Sequence, residues 1–199
     1  METFSKRDER ILRSLKTPQK IQAFLDALPY HHADTAFSPK RVLAEGTAHC
    51  LEGAIFAAAA LRLQGRAPLL WDLEAEGDSD HVLALYQEEG AWGSIGISNF
   101  SGLRFRPPIY RNLRELALSY FNDYFNYRRQ RTLRRYSNAV NLRRFDSRHW
   151  QTRMDNVWFI AEYLCDIPHH QLMDEKVANN LPLVDRRSFQ AGCVGMTKK

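Results

Sequence analysis

The stretch from Gly46 to Gly65 constrains the fold more than any other. It opens Gly-Thr-Ala-His-Cys and continues Leu51-Glu52-Gly53-Ala54-Ile55-Phe56; four alanines and Leu61-Arg62-Leu63-Gln64-Gly65 complete it. Thr47 suits the N-cap, its hydroxyl accepting from a free amide of the first turn, and Gly65 suits the residue that ends the helix. Between them Leu51, Ala54, Ile55 and Ala58 recur at helical spacing. Side chains as small as Ala54 and Ala57 to Ala60 let such a helix approach its cover closely, so a second layer is expected directly against it. With Thr47 as cap, Cys50 falls in the first turn, where the positive end of the helix dipole favours the thiolate. Two readings of Cys50 stand side by side: an activated nucleophile, and a buried structural thiol.

The rest of the chain supplies the cover. Lys6 to Leu15 and the segment from Thr17-Pro18 to Leu28 read as helices, the second with Ile21, Phe24, Leu25 and Leu28 inside and Pro29 as its stop. Tyr30 to Pro39 reads as a loop; its His31, His32 and Asp34 lack further ligands at metal spacing. After Gly65 the period changes to two, and strands are expected at Pro68–Leu73, His81–Tyr86 and Trp92–Ser98, joined as an antiparallel meander. Arg104 to Pro108 is extended and, with two prolines, an edge. Asn112–Asn126 and Trp150–Cys165 read as helices separated by a basic loop, and the residues from Pro168 onward carry few periodic signals. The fold class expected is α+β: a central helix carrying Cys50, packed on a small antiparallel sheet, with flanking helices. Residues 1–40 form an N-terminal helical segment, 41–110 the core, and 111–199 a helical, Arg-rich extension, all within one compact body.

Of 199 residues, 44% are hydrophobic and 12% aromatic, enough for a packed core. No apolar run approaches the ~20 residues of a membrane span, and the charged N-terminus (Met1 to Asp8) has no apolar stretch after it, unlike a secretory leader. Three cysteines, Cys50, Cys165 and Cys193, make neither a disulfide framework nor a zinc pattern, so a reducing, cytoplasmic location is expected without metal or cofactor. The net charge of +5 is local: between Arg111 and Arg153, eleven arginines stand against three acids. Arg128, Arg129, Arg131, Arg134 and Arg135, interleaved with Tyr127 and Tyr136, are compatible with an acidic partner or nucleic acid, although no nucleic-acid module is legible. A solvated basic face is the competing reading.

Three features form an ordered set: Cys50 at a helix start, His81 at a strand start, and Ser98-Asn99 at the end of the next strand. A thiol hydrolase needs a nucleophile, an imidazole to hold its proton, and an acceptor to orient that imidazole. Over roughly Leu43 to Ser98 the order and spacing, including the 31 residues from Cys50 to His81, resemble the transglutaminase-like superfamily of papain-like thiol enzymes. The matching parts are Cys50, the helix ending Leu61-Arg62-Leu63-Gln64-Gly65, the strand Pro68 to Leu73, His81 and the Trp92 strand. The resemblance implies cysteine-dependent acyl transfer on a peptide or amide, with Cys50 and His81 catalytic. It departs at the third position. The family's acid lies four residues past the Trp, and here that residue is Gly96; Ser98 keeps the strand spacing, and Asn99 is the better chemical substitute. Cys50's own amide is the expected oxyanion donor, with Trp71 and Trp92 as expected cavity walls. Without the carboxylate, the alternative is an inactive relative that binds a partner through the Arg-rich region.

Overall fold

Two neighbouring strands decide the architecture. In the computed structural model, which describes residues 3–197, β1 (Leu69–Ala75) and β2 (His81–Glu88) pair antiparallel, Leu69 opposite Leu85 and Leu73 opposite His81. Leu70, Val82, Ala84 and Tyr86 enter one apolar cluster, while Trp71, Leu73, Leu83 and Leu85 enter another. Successive side chains of a strand point to opposite faces, so a pair apolar on both must be covered on both. Glu89 (φ 50°) and Gly90 (φ 82°) make the two-residue turn into β3 (Ala91–Ile95), the left-handed pair that matches strand twist. β4 (Arg106–Tyr110), β5 (Leu133–Ser137), β6 (Val140–Asn141) and β7 (His169–Gln171) complete an antiparallel sheet of seven strands, ordered β4-β3-β2-β1-β5-β7 with β6 on β1.

Helices cover the two faces unequally. On the first lie α1 (Lys6–Ser14), α2 (Pro18–Asp26), α3 (Pro39–Glu45) and α4 (Cys50–Leu63); on the second lies α5 (Leu113–Tyr120). α6 (Trp158–Asp166) closes the first cluster with Phe159, Ile160 and Leu164. α7 (Glu175–Ala178) and α8 (Arg186–Gly192) follow. α4 runs along β2 and is buried at every residue from Leu51 to Leu61, not along one stripe. Its close packing is visible at Gly53, where a Cβ would stand 2.4 Å from Ile97 Cγ2. Gly65, at φ 80°, ends it as expected: the Gly65 amide donates to Arg62 O and the Arg66 amide to Leu61 O, a Schellman closure. Among the described residues no helix is long and apolar enough to cross a membrane.

Several expected boundaries move, each for a local reason. Strand β3 stops at Ile95, because the buried Gln22 amide takes the place of a neighbouring strand at Gly96, donating to its carbonyl (2.9 Å) and accepting from its amide (3.1 Å). Ser98 and Asn99 therefore lie in a loop. α5 ends at Tyr120 rather than Asn126, where Arg106 donates to the Ser119 carbonyl and to Asp123. Residues 150–157 are not helical: the Gln151 and Arg153 carbonyls accept from the Lys40 amide and Ser38 hydroxyl, and the Val157 amide donates to Ala36. The basic loop contains β5, which joins the sheet through Glu74 opposite Arg135, so residues 111–199 share their sheet with residues 41–110. The segment from Pro168 onward holds β7, α7 and α8. Met1 and Glu2, part of the stretch weighed above as a leader, and Lys198 and Lys199 lie outside the described residues.

Candidate functional site

Cys50 is the first residue of α4, and His49, with extended backbone, is its N-cap. Thr47, expected in that role, instead donates its hydroxyl to Pro29 O at 2.8 Å. What holds the helix start is Glu52, buried completely at the third helical position. Its carboxylate accepts from the amides of His49 (3.0 Å) and Phe37 (3.0 Å) and from the Thr35 hydroxyl, and His31 Nδ1 lies 3.2 Å away. One buried acid thus ties the 31–37 loop to the turn that carries the cysteine. An acid three residues after a helix cap was the available sequence signal.

The Cys50 sulfur lies 4.0 Å from the Asp80 carbonyl at the entrance to β2. Burial pushes its thiol up; the amides of Val82 and Leu51 act in the opposite sense, and the Asp72 and Glu52 carboxylates add to the rise. The residue is half-buried overall, so part of it is open to solvent. Tyr30 was not singled out from sequence, yet its hydroxyl lies at the Cys50 backbone amide, and burial raises it so that it stays protonated.

His81 occupies the strand position on the α5 side, with Leu83, and its ring meets Tyr124 edge-on at 6.4 Å. Its Nε2 lies 2.7 Å from Leu103 O, which assigns the proton to Nε2 and leaves Nδ1 as an acceptor. Among the described residues Nδ1 has no hydrogen-bond partner, although the residue as a whole is buried. Burial pushes the imidazole down to about 4, against a smaller raising effect of the Leu103 carbonyl. Cys50 and His81 line one cavity of about 840 Å³ at the end of the sheet. No hydrogen bond joins thiol to ring among the described residues; the two approach the cavity from opposite faces.

The other expected residues take different work. Ser98 and Asn99 line the same cavity, but neither orients His81. The Ser98 hydroxyl accepts from the Phe100 amide (3.0 Å), and Asn99 is bonded to Thr197; the acceptor for the ring is a backbone carbonyl. Gly96 does face the ring: a Cβ there would lie 3.7 Å from His81 Nε2, but also 2.4 Å from Leu83 Cδ2. A carboxylate at this position would point at His81 only if Leu83 made room. Trp71 is fully buried with Nε1 donating to Ser137 O, and Trp92 packs in the second cluster. The aromatic walls are Phe100, Tyr124, Phe125, Tyr127 and Phe189 instead.

The Arg-rich segment is largely used internally. Arg134 pairs with Glu76 (2.8 Å) and Arg135 with Glu74, while Arg129 and Arg131 donate to the Val184 and Pro182 carbonyls. Arg128 is exposed. A second His–acid pair was also missed: Asp72 Oδ2 lies 2.9 Å from His169 Nε2, between β1 and β7. His169 Nδ1 is taken by Ile167 O, so both its nitrogens are engaged and the pair serves the sheet. No protein-family model matches this chain, and no curated protein matches it either.

Proposed function

We propose that the chain is a transglutaminase-like, papain-like cysteine enzyme that transfers acyl groups from a peptide or amide through Cys50 and His81. The observation that carries this reading is that Cys50 and His81 line one cavity, with Nε2 of His81 held by Leu103 O and Nδ1 left as the acceptor. The Gly96 position supports the resemblance further, because the site where the family has its acid faces His81 Nε2.

Once movement closes the gap between thiol and ring, Nδ1 takes the thiol proton and the sulfur attacks the substrate carbonyl carbon, forming a C–S bond. The negative oxygen that develops would take the Tyr30 hydroxyl as a donor, with the Cys50 amide turning to it from the Tyr30 oxygen that it meets at rest. Nδ1–H then protonates the departing amine, leaving a thioester that water or a second amine resolves. Leu103 O fixes the tautomer but brings no full negative charge, so the imidazolium is stabilised less than it is beside a carboxylate. A neutral thiol and a neutral imidazole at rest follow from the two shifts. The partner-binding alternative loses support because Arg134 and Arg135 are neutralised by Glu76 and Glu74.

The test uses p-nitrophenyl acetate as acyl donor, with intact-protein and peptide mass spectrometry. The expected result is an acetyl thioester on Cys50, absent in Cys50→Ala and reduced by about 100-fold in His81→Gln. Turnover that survives Cys50→Ala, or acetylation confined to Cys165 and Cys193, refutes the reading.

A further inference from the structure

The cavity has a cover, and the cover is the chain's own C-terminal segment. α8 is capped by Asp185, whose side chain accepts from the Ser188 amide, yet none of its residues is fully buried. It is anchored from below: the Val184 amide donates to Arg129 O (2.8 Å), Ser101 donates from its amide to Gly192 O (2.9 Å) and from its hydroxyl to Ala191 O (3.0 Å). Gly192 lies so close on Phe125 that a Cβ would stand 2.5 Å from Cζ. Phe189, Cys193, Met196 and Thr197 then line the same cavity as Cys50 and His81.

The last fastening identifies the kind of occupant. Asn99 Oδ1 accepts from the Thr197 amide (2.9 Å) and its Nδ2 donates to the Thr197 carbonyl (3.0 Å). The Thr197 hydroxyl in turn meets His32 Nε2 at 2.9 Å. A side-chain carboxamide that answers both the N–H and the C=O of one residue reads peptide backbone, as the edge of a strand does. Gln22 treats Gly96 in the same way inside the fold. Asn99 offers this pairing at the rim of the nucleophile's cavity, to a segment that any other extended chain could replace.

We propose that residues 185–197 form an intramolecular strap whose end at Met196–Thr197 fills the position of a polypeptide substrate's backbone, and which must leave before one binds. The word substrate rests on the acyl-transfer reading; the strap itself does not. Segments with few buried contacts open at low cost, and the strap has that character, whereas Val184 beneath it is buried.

The experiment reads access to Cys50, not turnover. In a Cys165→Ser, Cys193→Ser background, the rate of Cys50 modification by fluorescein maleimide is compared for the full chain, Asn99→Ala, and a chain ending at Val184. Loss of the Asn99 pairing should speed modification about tenfold, the increment of one to two lost hydrogen bonds, and removal of the strap should speed it further. A synthetic peptide of residues 185–199, added to the shortened chain, should slow modification again; a scrambled peptide should not. Unchanged rates in a natively folded Asn99→Ala protein overturn the strap even if the shortened chain fails to fold. Equal protection by the scrambled peptide overturns it as well. Modification needs no acyl transfer, so a chain that modifies as expected but transfers no acyl group leaves the strap standing and removes only the enzyme reading.

Discussion

His81→Gln separates the burial of this imidazole from everything else that titrates. The wild-type ring titrates at about 4 in the folded protein, against 6.5 when unperturbed, because burial penalises its charged form. A depressed histidine contributes stability that is complete above the unfolded value and is lost as pH falls from about 6.5 towards 4, because only the unfolded chain then takes up the proton. At pH 4 the unfolded chain is almost fully protonated at this position while the folded ring is half protonated, which corresponds to a loss of about 3 kcal/mol relative to neutral pH. Glutamine keeps an N–H donor for Leu103 O but does not titrate. Urea unfolding at intervals from pH 8 to pH 4 gives both curves. His31, His32, His49, His149, His169 and His170 remain in both proteins, so the difference between the curves isolates residue 81. The variant should lie below wild type at pH 8 and lose about 3 kcal/mol less on acidification. Parallel curves would refute a buried, neutral His81.

The helix packing and the missing acid can be probed in the same way. Gly53→Ala drives a methyl into Ile97 and should destabilise by about 1–3 kcal/mol; in an Ile97→Ala background the cost should largely vanish, and an unchanged cost in that double-mutant cycle would contradict the contact. Glu52→Leu strands the donors gathered on its buried carboxylate and should cost about 3–5 kcal/mol by chemical denaturation, with a loss below 1 kcal/mol excluding the carboxylate as the organiser of the helix start. Gly96→Asp combined with Leu83→Ala sets a carboxylate against His81 Nε2, and the ring's NMR titration midpoint should climb from about 4 towards neutrality; an unmoved midpoint would mean that position 96 does not face the ring.

What could be read from sequence followed from strong local signals. The alanine-rich helix, its Gly65 stop, the antiparallel β1–β2–β3 meander and an extended edge near Pro107 and Pro108 all depend on periodicity or on a single local residue, and all are present. Cys50, His81, Ser98 and Asn99 line one cavity. The roles within it were not legible, because they turn on backbone atoms and distant side chains. A carbonyl such as Leu103 O has no residue signature, and Tyr30 reaches Cys50 only through the fold. Likewise β5 was hidden in an arginine run whose charges are answered by Glu74 and Glu76, far off in sequence. The C-terminal cover was invisible for a similar reason: its short elements are held by Arg129, Ser101 and Asn99, not by an apolar period of their own.

The knot at Glu52 limits how the site can rearrange. Because one carboxylate gathers donors from residues 31, 35, 37 and 49, the wall bearing Tyr30 and the turn bearing the sulfur behave as a single rigid block. Closing the gap between thiol and imidazole is therefore left to torsion about the Cys50 side chain or to displacement of the loop around Asp80 and Leu103. Under the proposed acyl-transfer chemistry, Tyr30 and the turn that carries Cys50 keep their spacing whichever of the two moves, and only the proton acceptor has to arrive.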